Sequence, residues 1–581
     1  MVADLNIIRR SAVGINLGGI FSGRNSLFLV SALVLGVVVL LLVVIVGIAF
    51  RDSNTNANTL ENFRELYGDR FVLTALRNTI GFTLVATFTS LFFAVPIAFL
   101  AERTTLPGRS FIFPLLTVTI LIPGFFSAMG WLLMFHPRIG MMNKWAVEYI
   151  PFINSPPFNV ATVTGMGFIT GLGLSSLAFI MLAGTFRAMD PTLEESAQIH
   201  GMGLVTRLRK ITFPLLWPGI LAAGLYITTI ALAAFDVPAF IGLGNRIFTF
   251  STMLFILANP EDGLPQYGLI GASSVMMIVI ALFLSWWYLS VIRRSHKYAV
   301  VTGKNYRPKL IELNRKWIVA GWTFIAVKLL FSFIVPLLML IWTSLIPFFE
   351  PISASAIQRV SLDNYREIPW PAFWEVARNT AILVAVVPTL SVVIGLAISW
   401  VVIRSKSRGA WLVDTLAFLP HAVPNLIFAV AAVYLALVWI PRWIPFYGTI
   451  YILIVVFVIA RISFPTRLYN NALLQIHKEL DEAGYVFGLG ALRVLRRITF
   501  PLLLPTIMYS WLWMALLTYR ELTLAAFLQA RDNVTLPVYI FTIFRSGETP
   551  IAAALSLVLL LFLMPLITIY FVWARRQGVV A

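Results

Sequence analysis

Residues 26–50, SLFLVSALVLGVVVLLLVVIVGIAF, carry no charged side chain. A run longer than the ~20 residues that cross a hydrocarbon core is expected to be a helix in lipid, where backbone N–H and C=O groups find no partner outside the segment. It is longer than the apolar part of a secretory signal and has no small-residue cleavage pattern, so a retained span is expected. Comparable runs follow, and spans are expected near 26–50, 77–101, 110–135, 160–185, 214–240 and 267–292, then near 317–345, 378–403, 411–440, 447–470, 501–528 and 551–574. None shows the alternation of barrel strands, so all are expected to be helices. The expected class is an all-α membrane protein of about twelve transmembrane helices.

Charge sets the orientation. Only 12% of residues are charged, against about 25% in soluble domains. The net charge of +18 is unevenly spread: Arg293, Arg294, Lys297, Lys304, Arg307, Lys309, Arg315 and Lys316 face a single acid, Glu312. Arg404, Lys406 and Arg408 form another basic loop, and Arg575 and Arg576 close the last span, whereas 51–70 and 350–375 mix both signs. This is the positive-inside pattern, which places both termini in the cytoplasm and argues against a nucleic-acid partner. With no cysteine, disulfides, thiolate metal sites and cysteine catalysis are excluded.

The chain repeats itself. LENFRE (60–65) is answered by LDNYRE (362–367), and Arg77-Asn78-Thr79 by Arg378-Asn379-Thr380. Gly108 and Pro123 return as Gly409 and Pro424, at an offset of 301. Residues 194–216, EESAQIHGMGLVTRLRKITFPLL, return as 481–503, DEAGYVFGLGALRVLRRITFPLL, at an offset of 287. The drop of 14 places a deletion in the loop matching 136–160. Six spans per copy give both copies one orientation, hence two direct six-helix repeats about a pseudo-two-fold axis along the membrane normal. The expected units are 1–292, with a cytoplasmic loop at 187–213, a basic linker at 293–316, and 317–581, with the matching loop at 474–500.

Each loop joins the fourth and fifth spans of its half. Asp190 as N-cap with Pro191 behind it suits a helix start, and the second copy has His477 and Lys478 there instead. Gly201 and Gly203, or Gly488 and Gly490, suit a helix stop with positive φ. Pro214 or Pro501 is expected to open the next span.

The pattern of Glu195, Ala197, Gly201, Ile211 and Pro214, repeated by Glu482, Ala483, Gly488, Ile498 and Pro501, resembles the cytoplasmic "EAA" loop of binding-protein-dependent ABC importer permeases. Ser196 and Gly484 depart from the ideal, both as small residues. The resemblance covers nearly the whole chain as a fused pair of permease subunits. It implies that each loop is a coupling helix docking in one of two copies of a separate ATPase subunit. It further implies a periplasmic or surface binding protein as donor and a bacterial inner (cytoplasmic) membrane location. No Walker A pattern occurs, Gly303-Lys304 lacking the upstream glycine. ATP and magnesium are therefore expected on partner subunits, with no cofactor in this chain.

Ionisable residues inside spans mark pathways or paired structural sites. Asp236 near the outer end of span five, and Arg520 with Glu521 near the matching place in span eleven, are the candidates for the translocation path. The alternative is that Glu521 pairs with Arg520 or Arg461 and locks helices together. His421, beside Pro424, is a lone histidine and reads as structural. DVPAFIGLGNRIF and YRELTLAAFL look most like the ferric-iron permeases, while related permeases carry thiamine, phosphonates, phosphorylated sugars or polyamines; which metal, if any, is bound stays open. An ion-coupled secondary transporter would call for inverted repeats. A membrane enzyme would need a constellation that five histidines without HExxH spacing do not supply.

Overall fold

Proline decides where several apolar runs bend. The ring of Pro123 or Pro424 clashes with an α-helical residue before it, and Ile122 (φ −74°, ψ 133°) and Val423 (φ −103°, ψ 135°) are accordingly extended. In the computed structural model, helices Arg109–Leu121 and Gly124–Phe135 meet at 85°, and Ala410–Ala422 and Asn425–Val438 at 99°. The structure describes residues 23–53, 57–189, 192–260, 262–295, 310–405, 408–441, 443–444 and 446–576. The expected cap at Asp190 and Pro191, and the middle of the basic linker, lie outside them.

The protein is an all-α, multi-pass membrane protein. Among the described residues nine helices are long and apolar enough to span a bilayer, from Asn25–Ala49 to Thr549–Trp573, and four bent pairs raise the number to thirteen. Three runs expected as single spans are such pairs: 110–135, 411–440 and 447–470, the last divided into Ile450–Arg461 and Ser463–Gln475 at 44°. The fourth pair was expected as a span end and a loop. It consists of Pro238–Asn245 and Phe250–Ala258, at 71°.

Spans five and eleven also need correction. The expected 214–240 is a helix over Val205–Leu232 that stops before Asp236, and the expected 501–528 runs over Leu492–Tyr519 and stops before Arg520. A short helix, Thr523–Leu528, and an unforeseen one, Leu536–Arg545, follow. All three candidate path residues thus lie at helix breaks.

Small residues let helices approach closely. A Cβ on Gly167 would lie 2.8 Å from the Phe82 carbonyl oxygen, and one on Gly171 2.5 Å from that of Ala86. Gly167-x-x-x-Gly171 therefore seats Val163–Ala188 against Arg70–Arg103, the packing that lipid favours in place of a hydrophobic driving force.

The repeated words form matched bonds. Asn62 Nδ2 donates to the carbonyls of Ala49 (3.0 Å) and Arg51 (2.8 Å), and Asn364 Nδ2 to those of Ser344 (2.9 Å) and Ile346 (2.8 Å). Asn78 binds the Phe248 carbonyl at 3.0 Å and Asn379 that of Val534 at 3.1 Å. Thr79 accepts the N–H of Phe250 at 2.7 Å, and Thr380 that of Leu536 at 2.9 Å. The Asn-Thr dipeptide thus pins a short helix, Phe250–Ala258 or Leu536–Arg545, to a long span at both repeats of the word.

Candidate coupling helices and membrane breaks

Each repeated loop begins with a short helix, Thr192–Ile199 or Lys478–Val486. Acids sit in both first turns, Glu194 and Glu195 in one and Glu479 and Asp481 in the other. There they complement the positive end of the helix dipole. Gly201 and Gly488 both take φ +76°. With Met202 N–H bonded to the Ala197 carbonyl and Leu489 N–H to that of Gly484, each 3.0 Å, they close Schellman stops. His477 is the N-cap of the second helix and makes no side-chain cap bond.

The second glycine of each pair does something else. Neither Gly203 nor Gly490 has positive φ; their carbonyls receive the first bonds of the next helix, from Arg207 N–H and from Arg493 and Val494 N–H. The basic stretch is helical rather than a loop, running through Leu204–Arg207 and Ala491–Val494 into the π-turns Leu208–Thr212 and Leu495–Thr499. Pro214 and Pro501 follow at the start of Phe213–Leu232 and Phe500–Tyr519, so they do not open the span. A π-turn relieves the missing N–H and the ring clash that proline brings to a continuous helix.

Of the acids, the ones singled out from the motif are not those the fold buries. Glu195 is half-buried and Glu482 exposed, with Ala197 buried and Ala483 exposed. Their N-terminal neighbours are sequestered instead. Glu194 pairs with Arg103 and accepts from Thr212 Oγ1; Asp481 lies 2.8 Å from Arg404 Nε and accepts from Thr499 Oγ1 at 3.0 Å. The pairs Glu194 and Asp481, and Thr212 and Thr499, are 287 apart, and Arg103 and Arg404 are 301 apart. The two repeat offsets, applied to charged residues, would have found both triads. Just before the glycines the surface turns apolar, with Ile199 84%, Val486 85% and Phe487 85% exposed. Exposed apolar tips on otherwise polar helices mark a contact surface.

The membrane breaks gather the path candidates. Arg520 Nη1 donates to the Ile120 carbonyl and, at 3.0 Å, to that of Ile122, at the C-terminal end of Arg109–Leu121. The Asp236 carboxylate lies against Gly124 at the start of Gly124–Phe135, where a Cβ would come within 2.9 Å of its Oδ2, and accepts the Thr523 hydroxyl at 3.3 Å. An acid at the N-terminal end and a base at the C-terminal end complement the helix ends that the bend exposes. Glu521 pairs with Arg461 Nη2 at 2.9 Å and accepts the Leu524 N–H at 3.1 Å. Of the two partners considered for Glu521, Arg461 is the one engaged. Asp236 and Glu521 do not occupy equivalent places, since the residue 287 after Asp236 is Thr523.

Beside this cluster, phenylalanines from both halves of the chain interlock. Phe235 lies 5.6 Å from Phe527, Phe255 5.5 Å from Phe527, and Phe240 5.2 Å from Phe541. The cluster is buried and aromatic. His421, at the other break, stacks on Tyr226 at 5.3 Å and touches Phe418 at 5.4 Å. Among the described residues no group of three His, Cys, Asp or Glu side chains could hold a metal.

Residues 375–578 match the family of binding-protein-dependent transport system inner membrane components. The chain is 25% identical to the ferric transport system permease protein FbpB of Actinobacillus pleuropneumoniae, over 90% of this chain and 74% of that one. It is 22% identical to the Fe(3+)-transport system permease protein FbpB 2 of Haemophilus influenzae, over 84% and 87%. A sulfoquinovosyl glycerol transport system permease protein of Agrobacterium fabrum is 29% identical over 40% of this chain and 76% of its own length.

Proposed function

We propose that this chain, an ABC-importer permease subunit, is a fused two-half permease that passes a binding-protein-delivered solute, ferric iron, inward across the membrane by alternating access. ATP hydrolysis resides on separate partner subunits. The observation that carries the reading is the pair of short helices with equal glycine stops and bare apolar tips, one per half, suited to two copies of one ATPase. Ferric cargo is supported by relatives that align along most of the chain and are named for ferric transport. The sugar-type relative keeps a different cargo as the second reading.

The halves 1–292 and 317–581, joined by the linker 293–316, are read as direct repeats about an axis along the membrane normal. Matched asparagine and threonine bonds support this, as does the contact between Asp236 and Thr523, since equivalent residues meet only near such an axis. The basic loops put both termini and the linker in the cytoplasm, in a bacterial inner membrane. Reporter fusions after Arg293 and after Glu367 are expected to give opposite sidedness; equal sidedness refutes the orientation.

Coupling is tested at the glycine stops. Gly201→Val with Gly488→Val places β-branched residues at φ +76°, at a cost of about 1–3 kcal/mol each. The variant is expected to remain in the membrane and to lose transport together with ATP-driven stimulation. Normal uptake of radiolabelled ferric ion by the variant ends the coupling reading. Uptake of a sugar but not of ferric ion by the parent protein changes the cargo alone.

A further inference from the structure

The Glu194 and Asp481 triads tie together three elements that the chain could have left independent. Arg103 is the last residue of Arg70–Arg103, and Arg404 the last of Trp370–Arg404. Thr212 and Thr499 end the π-turns that lead into the fifth span of each half. Each carboxylate, one turn into its docking helix, holds one long span by its arginine and another by its threonine. All six side chains are at least nine-tenths buried, Arg103 at 4% exposure and Thr212 and Thr499 at 1%.

Chemistry explains why an ion pair stands here in place of packed apolar groups. A buried pair contributes little net stability, because desolvation of both ions offsets their attraction. It does fix direction. Glu194 accepts from the Arg103 guanidinium on one oxygen and from the Thr212 hydroxyl on the other, and Asp481 faces Arg404 Nε at 2.8 Å with one oxygen and accepts from Thr499 with the other, so each carboxylate is held from two elements in directions that apolar contacts do not fix. Each threonine closes a π-turn, an irregular stretch of the span where displacement of an unclamped docking helix can be taken up. Arg404 adds a second anchor, its Nη2 donating to the Ile476 carbonyl at 2.9 Å, where Ser463–Gln475 ends.

Resting on the coupling reading, we propose that Glu194 with Arg103 and Thr212, and Asp481 with Arg404 and Thr499, are positioning residues that make each docking helix move as one body with the second and fifth spans of its half. They carry the motion of the ATPase into the membrane. The exposed tips only receive it.

The chain has no cysteine, so introduced cysteines can carry spin labels without background. One label pair, Ile199→Cys and Phe487→Cys, reports the docking tips. A second, Phe152→Cys and Trp443→Cys, reports the outer loops, both sites being more than four-fifths exposed. Distances are measured in the complex purified with its ATPase, with magnesium and ADP or with ATP and vanadate. In the parent both pairs are expected to change together. In Thr212→Val with Thr499→Val, and in Arg103→Met with Glu194→Met, the tips are expected to move as before while the outer change falls about fivefold or more, the lower end of usual coupling. A full outer change in both variants overturns the proposal. So does failure of both to reach the membrane with ATPase bound, because the triads would then be folding elements. A parent complex that holds no ATPase refutes the coupling reading itself, a different outcome from either.

Discussion

The two proline breaks, at Ile122-Pro123 and Val423-Pro424, bend by 85° and 99° and are 301 residues apart. One is sealed by charge and the other is not. At the first, the Asp236 carboxylate lies against Gly124, and Arg520, from the other half of the chain, takes the freed carbonyls of Ile120 and Ile122. At the second, the exposed His421 lies against Tyr226 and Phe418 in place of any such charge bridge. Proline imposes the bend on both copies, while what satisfies it is free to diverge.

Arg520→Met is expected to break the comparison outright. It leaves the carbonyls of Ile120 and Ile122 without their charged donor, and hydrogen bonds to charged groups contribute about 1.5–3 kcal/mol each. Thermal unfolding of the detergent-purified protein should show a large fall in midpoint; an unchanged midpoint means the first break does not depend on charge. Asp236→Asn is milder, because an amide keeps a carbonyl oxygen for Thr523. A loss of about 1–3 kcal/mol, typical of a weakened buried hydrogen bond to a charged group, is expected in the same assay. Ferric uptake should fall if the carboxylate also faces the path, and stay normal if it only caps the helix.

The smallest effect is expected at the second break. His421→Phe keeps the stack on Tyr226, worth about 0.5–1.5 kcal/mol for an aromatic pair, so the unfolding midpoint should hardly move. Reduced uptake at unchanged midpoint would sharpen the contrast between the breaks and place the imidazole on the path. Unchanged uptake would make both breaks packed joints that differ only in chemistry.

These charges also bear on cargo. Two carboxylates facing a common path would favour a cation, but Glu521 is paired with Arg461 and Asp236 sits beside Arg520. The cluster of two acids and two arginines is balanced. Ferric cargo accordingly draws on the relatives rather than on a negative passage.

Much of this molecule can be read from local pattern. Apolar run length sets the membrane class, the basic excess suggests sidedness, and Gly201 and Gly488 announce their left-handed turns because an L side chain is strained there. The repeated Asn-Thr words mark positions whose bonds the structure pairs one for one. Local pattern was less reliable at the ends of spans. Asp236, Arg520 and Glu521 look like residues within helices: past Tyr519 no proline or glycine announces the stop, and past Leu232 the first, Pro238, comes only after Asp236.

What the sequence by itself determined is therefore a helical, multi-pass chain that carries one glycine-stopped motif twice, read from run length and repeated spacing. Only the tertiary structure decided which acid of each motif is buried, that Arg520 reaches carbonyls 400 and 398 residues away, and that Glu521 chooses Arg461. The reason is physical. Buried polar groups must be satisfied by whatever the packing brings within about 3 Å, and between distant helices that choice is made by their relative placement.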